Sequence, residues 1–289
     1  MTSPAARWAI VDGHRVPHEN ATVHASDLGL RRGFAVFEFF RVEHGVPLFL
    51  EAHLARLSRS AHTIGLPLTR DIDALTTDVH ALIDANAPHI SAIHILLTGG
   101  PSDDGITIEH PTCVVTSIHQ PPRATAPTTA ALITHHHTRE LPEAKSTNYV
   151  TAMRLAGAVR AAGAIDVIYH DGTHVTECAR LALAIIVGDT LVTRRDGVLE
   201  SISMTNLLGL ARERMPVEER AFTVGELRAA EEVLTSGSVR GIVPITTIDA
   251  RPVGNGTIGP HVRALFTAFG AHVDDYVAAR RGGAATRTR

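Results

Sequence analysis

Apolar and polar positions alternate with two different periods along the first half of the chain. Trp8–Val11 is a short apolar run closed by Asp12-Gly13, which predicts a strand and a turn. Phe34–Val42 is rich in aromatic and β-branched residues; His44-Gly45 and Pro47–Leu50 follow it, which predicts a hairpin. From Leu50 the period lengthens. Leu50, Leu54, Leu57, Ala61 and Ile64 recur at spacings of 4, 3, 4 and 3, one apolar stripe of a helix that Gly65 and Pro67 stop. Asp71–Asn86 fits a second helix, and Ala92–Thr98 and Thr112–Ile118 fit strands on either side of the polar loop Gly99–His110.

The stretch His119–Thr129 holds Pro121, Pro122 and Pro127 and reads as a linker, dividing an N-terminal domain (1–118) from a C-terminal domain (130–289). Beyond it, Ala130–Thr134 predicts a strand. Asn148–Ala162 predicts a helix with Tyr149, Met153, Ala156 and Val159 on one face. Ile165–Tyr169, His174–Glu177, Leu183–Val187 and Thr190–Thr193 predict short strands joined by turns at Asp171-Gly172 and Gly188-Asp189. Helices fit Ser203–Arg214, Val224–Ala230 and Pro260–Ala278, and the small, polar tail from Gly282 is expected to be loose.

Composition narrows the function. The chain has 289 residues, 44% of them hydrophobic, enough for two modest domains. A net charge of −3 without a basic block gives no footprint for nucleic acid or a membrane surface. Apolar runs such as Leu181–Val187 are far too short to span a bilayer, and the N-terminus lacks the basic start and apolar stretch of a signal peptide. Two cysteines, Cys113 and Cys178, make no disulfide framework and suit a reducing cytoplasm.

The candidate chemistry lies in the second half. Lys145 precedes a helix, Glu177 ends a strand, and Ser201–Thr205 and Thr235–Ser238 are hydroxyl-rich turns near helices. Such a set suits an anionic aromatic cofactor: an amine forms an imine, a carboxylate stabilises a protonated ring nitrogen, and helix N-termini with hydroxyls hold a phosphate. Gly254-x-Gly256-x-x-Gly259 mimics a dinucleotide fingerprint, but too little chain follows for a βαβ unit. His135-His136-His137 is not a metal site, since neighbours on a strand point to opposite faces.

The motifs resemble a known family. EAKSTNYVTAMRLAGAVRAAGAIDVIYHDGTHVTE is similar to the stretch around the cofactor lysine of class IV aminotransferases. HLARLSRSA (His53–Ala61) is similar to that family's His-Leu-x-Arg-Leu helix, SISMTNLLGLA (Ser201–Ala211) to its Gly-Ile-Thr-Arg helix start, and TSGSVRGIVPITTIDARPVGNG (Thr235–Gly256) to its Thr-Gly-Thr loop. The resemblance implies an α/β, two-domain fold type IV enzyme, with a smaller N-terminal α/β domain and a larger, barrel-like C-terminal one. It implies pyridoxal 5′-phosphate held as a Schiff base on Lys145, Glu177 on the ring nitrogen and Tyr149 on the phenolic oxygen. Arg56, the backbone of Ile202 and Ser203, and Ser238 would hold the phosphate. No metal is implied. A homodimer is, with active sites at the subunit boundary. Ser201 and Met204 stand where the family has Gly and Arg, and Leu181-Ala182 replace a Ser-Asn pair.

LRRGFAVFEFFRV, ECARLA and LTGGPSDDG (Leu97–Gly105) are similar to segments of certain bacterial D-amino-acid transaminases. This implies that Arg32 and Arg180 bind the substrate carboxylate, and that the amino group passes from a D-amino acid to a 2-oxo acid such as 2-oxoglutarate or pyruvate. The same scaffold serves branched-chain L-aminotransferases, (R)-amine transaminases and aminodeoxychorismate lyases. The departures at Leu181 and Ala182 also admit a weakly active cofactor-binding protein.

Overall fold

The structure is a computed structural model and describes residues 7–88 and 90–286. It divides into two compact units, one of residues 1–122, 144–148 and 276–289 and the other of 123–143 and 149–275. The first unit holds β1 (Trp8–Val11), β2 (His14–Pro17), α1 (Leu28–Arg32), β3 (Ala35–Glu43), β4 (Val46–Pro47), α2 (Leu50–Thr63), α3 (Ile72–Asn86), β5 (Ala92–Thr98) and β6 (Thr112–Ile118). Its six strands form an antiparallel sheet in the order β2-β1-β6-β5-β3-β4. Strand alternation supplies the core. Val36, Phe40 and Val42 of β3 and Ile93, Ile95 and Leu97 of β5 pack against Leu54 and Leu57 of α2 and Leu75 and Leu82 of α3. Phe37, Phe39, His94 and Leu96 alternate with them on the other face and are half-buried.

The second unit holds β7 (Ala130–His136), α4 (Val150–Ala161), β8 (Asp166–His170), β9 (Val175–Cys178), β10 (Ala182–Val187) and β11 (Thr190–Thr193). After these come α5 (Ile202–Arg212), β12 (Val217–Glu219), α6 (Val224–Ala229), β13 (Glu232–Gly237), β14 (Gly241–Ile248) and β15 (Arg251–Pro252). The last helix, α7 (Pro260–Thr286), belongs to this unit as far as Asp275 and to the first from Tyr276. The sheet is mixed, in the order β12-β11-β10-β13-β14-β7-β8-β9, with β15 on β14. The parallel β7–β8 pair is bridged by α4. Ile185, Val233, Ile245, Leu132 and Ile168 form its core with Leu227 of α6 and Phe222.

Several expectations need correction. Pro47–Leu50 is not a strand: only Val46–Pro47 pairs with β3, and Leu50 opens α2. The stripe of α4 that packs is Ala152, Leu155 and Val159, whereas Met153 points to solvent. Thr235-Ser236-Gly237 is not a turn beside a helix but the end of β13, paired with both β10 and β14. The final helix runs past Ala278 to Thr286, so the tail from Gly282 is helical at its start; Arg287 and Arg289 lie outside the described residues.

Candidate active site

Lys145 is stitched into the first unit through its backbone. Its N–H donates to the buried Ser60 hydroxyl of α2 at 3.0 Å, and its carbonyl accepts from Phe37 N–H at 3.0 Å. Thr147 N–H donates to the Ala35 carbonyl at 3.0 Å, so residues 145–147 lie along the start of β3. The side chain is half-buried, with Nζ 4.6 Å from the centre of the Phe37 ring.

Beside it sits a buried charged group. Glu38 occupies an inward position of β3 amid apolar neighbours, with no exposed surface. Arg56 donates from Nε to Glu38 Oε1 at 2.7 Å and from Nη2 to Oε2 at 2.8 Å, and His53 Nδ1 lies 2.6 Å from Oε2. Burial pushes the Glu38 carboxyl up, but the charges and hydrogen bonds of Arg56 and His53 outweigh it and hold it far below the usual carboxylate range. Burial lowers His53, Glu38 opposes, and Arg56 and Lys145 lower it further, so the ring is neutral at pH 7 and donates to Glu38. Arg56, expected to meet a phosphate, is therefore not a solvated helix arginine. One edge of its guanidinium holds Glu38.

In the second unit Glu177 lies one residue before the end of β9. Arg139 donates from Nη1 to Glu177 Oε1 at 3.0 Å, and Leu199 N–H approaches Oε2 at 3.5 Å. Tyr149 stands at the N-cap of α4, half-buried. Tyr169 of β8 is pushed up to about 12, first by burial and then by Asp166, so its hydroxyl stays protonated. Ser201 caps α5 by accepting from Met204 N–H at 3.2 Å; the family departure at Ser201 thus makes an ordinary N-cap. The amides of Ile202 and Ser203 in the first turn have no intrahelical acceptor and sit at the positive end of the helix. The helix packs against β13, where the fully buried hydroxyls of Thr235 and Ser236 lack a hydrogen-bond partner. Ser238 follows in the turn to β14. A Cβ at Gly237 would lie 2.7 Å from Leu181 Cδ2, so a side chain there would push the Leu181 tip aside.

The family pattern of class IV aminotransferases matches residues 35–248. The chain belongs to the class IV aminotransferases. Among known proteins it is 28% identical to a D-alanine aminotransferase of Listeria monocytogenes, over 90% of this chain and 94% of that protein. To a D-alanine aminotransferase of Staphylococcus aureus it is 26% identical, over 92% and 98%. Among solved structures, a fold IV transaminase of Curtobacterium pusillum superposes with a TM-score of 0.76 at 26% identity, over 94% of this chain and 93% of that one. The branched-chain amino acid aminotransferase of Escherichia coli superposes with a TM-score of 0.84 at 24% identity over 93% and 95%, which shows the fold. The α/β, fold type IV expectation holds.

Class IV aminotransferases work with pyridoxal 5′-phosphate, and the residues present fit it. The unpartnered hydroxyls of Thr235 and Ser236, on the strand that α5 packs against, leave buried polar atoms of the kind a phosphate satisfies. Among the described residues no group of three or more His, Cys, Asp or Glu side chains could hold a metal ion, and no helix is long and apolar enough to cross a membrane.

Of the two arginines expected at the substrate, one lies in each unit. Arg32, exposed at the end of α1, donates from Nε to the Gly105 carbonyl at 3.3 Å. Arg180 donates from Nη2 to the Ile165 carbonyl, and its Nε lies 3.5 Å from Asp166 Oδ1. Glu38, His53, Ser60 and Arg139 are the residues that sequence reasoning leaves without a role. Glu38 had a legible signal, since an acid among the alternating inward residues of a strand must find a cation.

Proposed function

We propose that this aminotransferase is a homodimeric D-amino-acid transaminase that moves the amino group of a D-amino acid to a 2-oxo acid such as 2-oxoglutarate or pyruvate. The observation that carries this reading is its similarity to D-alanine aminotransferases over nine-tenths of its length. Likeness to a branched-chain enzyme at 24% identity speaks to the fold alone.

Bound to the enzyme, pyridoxal 5′-phosphate supplies an electron sink that makes the Cα–H of an attached amino acid acidic. Lys145 would hold the cofactor through Nζ, and its amine would take the proton from Cα. Ser60 and Phe37 keep the Lys145 backbone fixed, so that this proton moves over a defined distance. Glu177, paired with Arg139, would keep a proton on the ring nitrogen. Tyr149 would donate to the phenolic oxygen. The family resemblance assigns the phosphate to the amides of Ile202 and Ser203, the Ser238 hydroxyl and Arg56, which would hold it. Arg32 and Arg180 grip the substrate carboxylate.

The test is a single-turnover spectrum over a panel of D- and L-amino acids. D-alanine should convert the bound cofactor to its amine form. No conversion by any D-amino acid, with conversion by L-leucine, overturns the reading.

A further inference from the structure

One polar group on the open face of the first sheet has no part in the roles above. Phe37 and Phe39 leave β3 on the side away from Val36, Glu38 and Phe40, and neither belongs to the core. His94 of β5 is paired with Phe39 across the strands, and its ring centre lies 6.0 Å from that of Phe39 and 5.5 Å from that of Phe37. Phe37 is also the ring under Lys145 Nζ. The same phenyl ring thus meets both the amine that works at Cα and a half-buried imidazole, with half-buried Leu96 on the same face. A substrate side chain that left Cα beside Nζ and crossed the Phe37 ring would run toward His94.

We propose that His94 is a specificity-determining residue whose imidazole contacts the substrate side chain along a wall made of Phe37, Phe39 and Leu96. This rests on the aminotransfer reading of Lys145 and adds a substrate class: at neutral pH, side chains ending in an uncharged hydrogen-bonding group; in acid, side chains ending in a carboxylate. The charges that face His94 decide this. Burial and then Lys145 hold its pKa below the ordinary histidine value, and Glu38 opposes them. Glu38 lies on the inward face of β3, already matched by Arg56 and His53. His94 is therefore neutral at pH 7, offering one donor and one acceptor and no charge. As pH falls through its depressed pKa it becomes a cation, and an acidic side chain gains a charge-assisted contact that an amide does not.

Glutamate and glutamine have equal length and differ in that end group. Their kcat/KM ratio, measured in both the D and the L series from about pH 5.5 to about pH 8.5, should rise toward acid by roughly 10-fold. In His94→Phe the ratio should not vary with pH, and the loss for glutamine should appear in KM rather than kcat. His94→Asn, which hydrogen-bonds without titrating here, should restore the glutamine KM but not the pH dependence. A flat wild-type ratio, a pH dependence that survives His94→Phe, or an equal loss for both substrates overturns the proposal, the last by placing His94 at the α-carboxylate. Turnover of the L series alone would refute the D-specific reading, while the ratio would still judge His94. A readout free of turnover completes the test. The imidazole Cε1 signal that disappears in His94→Phe should shift when glutamine is added to Lys145→Ala protein supplied with pyridoxal 5′-phosphate, and no shift overturns the contact.

Discussion

Arg139 donates from Nη1 to Glu177 Oε1 over 3.0 Å, with side chains 10% and 11% exposed. A carboxylate that keeps a proton on a ring nitrogen must itself remain charged, and a buried charge is tolerated only when paired. Arg139→Gln should weaken cofactor binding and slow the half-reaction by about 10- to 100-fold, as loss of a hydrogen bond to a charged group does. Arg139→Lys, which keeps the charge but loses the fork, should recover part of both. The measurements are a cofactor titration of the apoprotein and a stopped-flow half-reaction. If both match the wild type, Arg139 only fills space.

Lys145→Ala should purify without the yellow cofactor band and without transamination. Glu177→Gln should keep the cofactor yet lose roughly 10²-fold in rate, since only the charged ring draws electrons strongly. An active Lys145→Ala protein would remove Lys145 from its role, and a Glu177→Gln enzyme at full rate would do the same for Glu177.

The difference between these residues shows what a sequence discloses. The strands Ala92–Thr98 and Thr112–Ile118 fall where β-branched and apolar runs mark them. The stripe from Leu50 to Ala61 becomes the buried face of α2. Thr235-Ser236-Gly237 reads as a turn from composition, but pairing with β10 and β14 on both sides overrides local preference. The five residues of α1 are too few to show a helical period. Lys145 and Glu177 stand out through local motifs. Arg139 lies in an irregular stretch 38 residues before Glu177, and only the fold brings the two together.

The Glu38–Arg56–His53 group predicts a pH-dependent stability. Because the folded carboxyl is held far below its unfolded value of about 4.3, its ionised form stabilises the protein above that pH, and the contribution fades as pH falls below it. Arg56→Ala leaves a buried carboxylate with only His53 beside it, which should cost about 3–5 kcal/mol near pH 7. Below about pH 4 the wild type loses its advantage, so the gap between the two should narrow. Urea denaturation of both apoproteins across this range reads it directly; a gap that is constant or widens in acid contradicts the assignment.

If Lys145 takes the proton, the Cα–H bond must point toward its Nζ. Which enantiomer achieves this depends on where the carboxylate and side chain are held. Arg180 already shares its guanidinium with the Ile165 carbonyl and the buried Asp166, and its side chain is 56% exposed. Burial raises the Asp166 carboxyl and Arg180 opposes that rise, so the two are electrostatically coupled. A substrate carboxylate must therefore join an arginine whose direction the protein has set. If Arg32 and Arg180 hold it, either alanine substitution should raise KM for D-alanine by about 10- to 150-fold, the worth of a charge-assisted contact. The bound cofactor spectrum should stay as it is. Unaltered D-alanine kinetics in both variants would defeat the carboxylate assignment. A wild-type preference for L-leucine over every D-amino acid would defeat the D-specific reading itself, because the carboxylate and side chain would then have exchanged places about the same Cα–H bond.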